Sequence, residues 1–169
     1  LYFVETSSEY RLSRIETWLS KKCDYGVDLL GDCFQLNQSR IAISSGGLFG
    51  LGPGTSRARW GSLPNSYSDF ISSIIGEEYG FFGLFLLVLA FFILISTTFL
   101  IAIREKNEIK KLISVGFGSW IFFQTVINLG GAVGIVPITG IVLPFVSYGS
   151  SAMISIFIAL GIMYSRDYE

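Results

Sequence analysis

Between Phe81 and Ile103 the sequence reads FFGLFLLVLAFFILISTTFLIAI, 23 residues without a charge. At a rise of about 1.5 Å per residue, a helix of that length covers the roughly 30 Å hydrocarbon core of a bilayer. This stretch is therefore a transmembrane helix. A second uncharged run, the 54 residues from Leu112 to Ser165, is too long for one crossing and is divided by Gly130-Gly131, Pro137 and Pro144. Two further helices follow, near 112–133 and 148–164, with GIVPITGIVLPFVS between them as an interfacial or re-entrant loop. The expected fold is all-α: a polytopic membrane protein with three spans, about 70–103, 112–133 and 148–164, preceded by an extracytoplasmic loop over 1–69.

Charge placement orients these spans. Arg104 to Lys111, REKNEIKK, packs four basic residues between the first two helices, and Arg166 follows the third. Basic loops stay on the cytoplasmic side, so 104–111 and the C-terminus face inward. Residues 1–69 and the loop around 137–147 then share the outer side and can form one site. Composition agrees with a membrane chain, at 51% hydrophobic and a mean hydropathy of +0.58. The net charge of −1 indicates no bulk attraction to nucleic acid. The absence of histidine excludes imidazole bases and imidazole metal sites. Cys23 and Cys33 are too few for a zinc site; a disulfide and two unpaired thiols are both open.

Three carboxylates, Asp69, Glu77 and Glu78, run directly into the first span within Leu63 to Gly83. A charge there has to be hydrated, paired or set against a polar substrate. In helical projection Asp69, Ser73, Gly76 and Gly80 fall within about 40° of one line, with Glu77 about 80° to one side and Glu78 opposite. Asp69 thus heads a small, polar stripe that a ligand or another helix can approach. The competing reading is that Ser66, Ser68 and Asp69 cap the helix, whose N-terminus favours such side chains.

Upstream, Leu1 to Val4 is too short to span and reads as the end of a preceding segment. Tyr10 to Cys23 has helical spacing of Leu12, Ile15 and Leu19 against basic residues, an amphipathic helix that lies at the headgroup boundary or packs on protein. Residues 46–54 are too rich in glycine for a continuous element. Their backbone N–H groups, with Arg57 and Arg59 just downstream, suit a pyrophosphate; they equally suit a flexible connector, and without a following GK[ST] a P-loop is unsupported. In the second span Gly116, Trp120, Gln124 and Asn128 recur at every fourth position, a stripe for helix contacts or for a ligand.

Taken in order, Gln38-Ser39, Gly46-Gly47 with Gly50 and Gly52, Leu63-Pro64, Asp69-Phe70, Gly76-Glu77-Glu78-Tyr79-Gly80, Asn128 with Gly130, and Pro137 to Gly149 carry a family resemblance. The chain resembles the C-terminal part of the SEDS proteins (FtsW, RodA, SpoVE), peptidoglycan glycosyltransferases of bacterial cell division, elongation and sporulation, and tilts toward the FtsW branch. The resemblance implies that Asp69 is the catalytic aspartate of an enzyme that polymerises lipid II. It also implies a second rank of substrate-binding positions: Gln38, Ser39, Arg57, Arg59, Glu77, Pro144 and Ser147. A bacterial plasma membrane location, lipid II and membrane lipids as ligands, and a class B penicillin-binding protein as partner follow from it too. No cofactor is evident, and the residues leave a divalent cation open.

The sequence also departs from the family. Asn65, Ser66, Tyr67 and Ser68 stand where Glu and His-Thr are usual, Ser150 replaces a glycine, and Lys21-Lys22-Cys23 replaces Asp-Pro. The family also has more crossings than three, so this chain is expected to be part of a larger bundle or a decayed fragment. Two other roles compete with catalysis: a lipid II flippase, for which the spans offer only Gln124 and Asn128 as polar stations, and a non-catalytic division scaffold.

Overall fold

The computed structural model describes residues 12, 15, 18, 33–62 and 67–164. Among them are four helices and no strand: α1, Phe34–Ser45; α2, Ile71–Arg104; α3, Glu108–Val133; and α4, Ser150–Tyr164. A single π-helical turn, Ala58–Ser62, lies between α1 and α2.

α2 and α3 form an antiparallel hairpin across a tight turn. Glu105 accepts from the N–H groups of Lys106 and Asn107 at 3.0 and 3.1 Å. Asn107 in turn caps α3, its Oδ1 accepting from Ile109 N at 3.0 Å. The two helices are long and apolar enough to cross a membrane, with 34 and 26 residues. The described part of α4 is apolar, with 15 residues or about 22 Å of helix; the third span, expected at 148–164, is described over 150–164. Phe91 of α2, Phe117 and Ile121 of α3, Leu143 of the following loop, and Ile156 and Met163 of α4 are buried together and join these helices.

The expected continuous first span is interrupted. Gly80 has φ 66° and ψ −158° inside α2, conformations that a residue with a Cβ rarely adopts. A helix break orphans carbonyls on one side and N–H groups on the other. Here the glycine-rich loop after α1 supplies both sets of partners. Leu51 and Gly52 donate to the carbonyls of Glu77 and Glu78, each at 3.0 Å, while Phe81 and Phe82 donate to the carbonyls of Gly47 and Leu48 at 2.9 and 3.3 Å. The segment read as a loop or connector is therefore fastened to the broken helix on both sides of Gly80. The approach is close enough that a Cβ on Gly50 would overlap the Glu78 carbonyl.

α1 runs alongside the first part of α2 in the same direction, Ser39 facing Ser73 and Gly46 facing Gly76. Ala42, Ala58, Phe70, Ile74 and Ala132 are buried between α1, the π turn, α2 and α3. The C-terminal carbonyls of α3 are met by side chains: Arg40 Nε donates to Val133 O at 2.9 Å and Trp18 Nε1 to Gly134 O at 3.1 Å. Of the amphipathic segment 10–23, Leu12, Ile15 and Trp18 are helical and the rest lies outside the described residues. Trp18 is thus tied to the end of α3, while Leu12 and Ile15 are exposed.

Candidate functional site

Asp69 sits half-buried in the turn that leads into α2. The N-cap of α2 is Phe70, with no side-chain cap hydrogen bond. The capping reading of Asp69 is therefore not what the structure shows, and among the described residues its carboxylate has no hydrogen-bond or ion-pair partner. Its main chain, by contrast, is held. Asn128 Nδ2 donates to Asp69 O at 2.9 Å and to Ile141 O at 2.7 Å. One turn earlier on α3, Gln124 Nε2 donates to Val142 O at 2.9 Å. Of the polar stripe on α3, Gln124 and Asn128 hold the backbone of the two loops at the end of the helix pair.

Ser147 completes this seam. Its hydroxyl donates to Ser68 O at 2.5 Å and accepts from Leu143 N at 2.8 Å. Tyr148 N donates to Tyr67 O at 3.0 Å. Residues 67–69 and 141–148 are one hydrogen-bonded unit, and Pro144 is fully buried in its turn. Asp69, Asn128, Thr139, Gly140 and Ile141 are among the residues that border a cleft of about 10 Å³, room for about one water molecule. Asn128 Oδ1 is buried there without a partner, and a Cβ on Gly140 would come within 3.6 Å of Asp69 Oδ2.

Glu77, placed by its sequence at the edge of the Asp69 stripe, does something else. It is 2% exposed, and its carboxylate accepts from Ser56 Oγ at 2.6 Å, Arg57 N at 3.1 Å and Ala58 N at 3.2 Å. Burial of a carboxylate is tolerated when it is hydrogen-bonded in this way, each such bond contributing about 1.5–3 kcal/mol. Glu77 therefore folds the returning strand of the loop onto α2. Glu78 is also buried, and its Oε1 has no partner.

The remaining candidates divide. Gln38 and Arg57 meet at a cavity of about 410 Å³ whose wall includes Ile41, Ser45, Leu51 and Glu77. Ser39 is fully buried, its hydroxyl bonded to Ser73 Oγ at 2.7 Å and to Ala132 O at 2.6 Å, so it ties α1 to α2 and α3 and has no open face. The Arg59 guanidinium lies 5.6 Å from the Trp60 ring and 5.9 Å from that of Tyr67, beside the turn that carries Asp69. Sequence reasoning did not single out Ser56 or Thr139; Ser56 acts through a partner 21 positions away, for which no local pattern exists. Among the described residues no three His, Cys, Asp or Glu side chains converge as a metal site.

The family model for cell cycle proteins of the FtsW, RodA and SpoVE type matches residues 1–169. The chain is 39% identical over 163 residues to a probable peptidoglycan glycosyltransferase FtsW of Wigglesworthia glossinidia brevipalpis, covering 95% of this chain and 42% of that protein. It is 40% identical over 165 residues to stage V sporulation protein E of Bacillus subtilis, covering 95% and 44%. A solved structure, described as showing structural coordination of polymerization and crosslinking by a peptidoglycan synthase complex, superposes with a TM-score of 0.66 at 28% identity, over 91% of this chain and 40% of that one. The chain spans less than half the length of these proteins. With the model matched end to end, the chain belongs to the FtsW, RodA and SpoVE family of cell cycle proteins.

Proposed function

We propose that this chain carries the general base of a peptidoglycan glycosyltransferase that polymerises lipid II. The observation that carries the reading is the state of Asp69. Its carboxylate neither caps α2 nor pairs with any described side chain, while Asn128 fixes its main chain at the seam of two loops. A carboxylate so placed can take the proton of an acceptor sugar hydroxyl as the hydroxyl attacks the donor's anomeric carbon. The leaving pyrophosphate needs positive charge or oriented donors, and Arg59, held beside Tyr67, and Arg57, at the cavity with Gln38, are the groups for it. The name of one relative, a probable peptidoglycan glycosyltransferase FtsW, agrees with this chemistry.

The chain lies in the bacterial plasma membrane with residues 1–69 and the loop before α4 outside, and α4 as a third crossing. Two features support this orientation. The basic turn after α2 favours the cytoplasm, and Cys33 is disulfide-bonded, which favours an oxidising compartment; the sequence has one other cysteine, Cys23, outside the described residues. A class B penicillin-binding protein is the fitting partner, since the structural neighbour belongs to a complex that couples polymerization to crosslinking. Gln124 and Asn128, the polar groups a transport path would use, are engaged with loop carbonyls, which favours catalysis over flipping. The test is lipid II polymerisation by the full-length protein with Asp69→Asn; retained activity would refute the assignment.

A further inference from the structure

The glycine-rich loop exposes its apolar side chains. Leu48 is 62% and Phe49 79% exposed, and Leu51 is exposed as well. The sequence from Ile41 to Ser56 contains no charge. An aqueous loop has no reason to present these groups, since contiguous exposed apolar surface on a protein marks a contact with something apolar.

What covers them follows from α2. From Ile71 to Gly80 seven of ten positions are buried by protein: Ser72, Ser73, Ile74, Gly76, Glu77, Glu78 and Gly80. After it, burial falls to Phe91, Thr98 and Ala102 over the remaining 24 residues of the helix. The change from a protein-covered to an uncovered helix occurs at Gly80. From Gly80 to Arg104 a helix rises about 36 Å, slightly more than the roughly 30 Å of hydrocarbon, so with Arg104 at the opposite surface Gly80 stands at the headgroup boundary. The loop is fastened at that level by four backbone hydrogen bonds, to and from Glu77, Glu78, Phe81 and Phe82. Its side chains continue the uncovered face: the Phe49 ring stacks on Phe82 at 5.4 Å, Phe82 meets Phe81 at 6.3 Å, and Phe81 meets Phe85 at 6.4 Å. Irregular backbone enters an apolar phase only where its polar groups are paired, and here the helix break pairs several of them.

We infer that residues 47–51 form an interfacial anchor that inserts Leu48 and Phe49 into the outer leaflet, against the acyl chains that surround Phe81 and Phe82. The occupant of this surface is bilayer lipid, and the anchor sets the height of the first part of α2, with Asp69 at its top, above the membrane. Insertion to about 5–10 Å, the depth of an interfacial apolar face, is expected. The inference stands on the membrane-spanning helix and is independent of the role of Asp69.

The test uses the full-length protein reconstituted in phosphatidylethanolamine and phosphatidylglycerol vesicles. Nitroxide labels are placed at Leu48→Cys and, separately, Phe49→Cys. Phe92→Cys on the uncovered face of α2 and Thr55→Cys on the returning strand serve as references, with the parent protein as background. Collision rates with oxygen, which partitions into acyl chains, and with a neutral nickel chelate, which stays in water, are compared. Labels at 48 and 49 are expected to show the oxygen-dominated ratio of position 92, and Thr55 the nickel-dominated one. A ratio at 48 and 49 equal to that at 55 would overturn the inference in favour of an aqueous loop. Suppression of both collision rates would overturn it in favour of a covering protein segment. Either labelled variant alone decides if the other does not fold.

Discussion

Asn128 and Asp69 are joined through the main chain: the α3 amide donates to the Asp69 carbonyl at 2.9 Å and, from the same nitrogen, to Ile141 O at 2.7 Å. The link leaves the Asp69 carboxylate untouched and fixes where it stands. Replacing Asn128 with Leu preserves volume approximately but strips both carbonyls of a donor. Losing hydrogen bonds to groups that stay buried costs about 1–3 kcal/mol each, so a lower melting temperature is expected. If Asn128 positions Asp69, the polymerisation rate falls by more than stability explains, with substrate affinity little changed. Rate, affinity and thermal unfolding measured together check this.

Glu77 and Ser56 supply a second test. Glu77→Gln keeps one acceptor oxygen but sets an NH₂ group against donors that now share the carboxylate: Ser56 Oγ, Arg57 N and Ala58 N. The expected cost is about 1–3 kcal/mol, read as a lower melting temperature and faster proteolysis within 53–58. Polymerisation is expected to fall less than in Asp69→Asn.

Gly80→Ala probes the helix break. At φ 66° and ψ −158° an alanine is strained by about 1–3 kcal/mol, and its Cβ would meet the Leu48 carbonyl and Gly50 N. The loop is expected to detach, which limited proteolysis detects as new cleavage near 47–52. An unchanged digestion pattern would show that the loop is not fastened there.

Much of this was legible in the sequence, and the remainder failed for identifiable reasons. Uncharged length is a local property, so α2 and α3 could be read directly, and the ordered motifs led to the family. α4 starts at Ser150, two positions after the expected 148, because Pro144 and the turn around it, with Ser147 bonded to Ser68, take up the preceding residues. The break at Gly80 could not be read from the sequence around it, because its partners are backbone groups some 30 positions upstream. Helical projection set Glu77 beside a stripe headed by Asp69, but Asp69 stands in the turn before α2 and Gly80 at its break, and a projected direction does not reveal that Ser56 and two main-chain donors converge on Glu77. Gln124 and Asn128 had the spacing of a helix contact, and periodicity cannot distinguish a neighbouring helix from a loop folded back over the helix end.

Orientation is tested by cysteine labelling in intact cells. The basic turn favours an inward 104–111, so Glu108→Cys is expected to be inert to an impermeant maleimide until the cells are opened, while Thr55→Cys reacts from outside. The reverse pattern would invert the topology.

The central claim is that Asp69 acts as a base. Asp69→Asn keeps size and hydrogen bonding but cannot accept the proton, and loss of a general base lowers the rate about 10²- to 10⁴-fold. Because the side chain makes no cap hydrogen bond, folding and melting temperature are expected to stay close to the parent's. The measurement is lipid II polymerisation by the purified full-length Asp69→Asn protein with its partner. Loss of polymer from a normally folded protein is the expected result, and near-normal polymer would contradict the assignment.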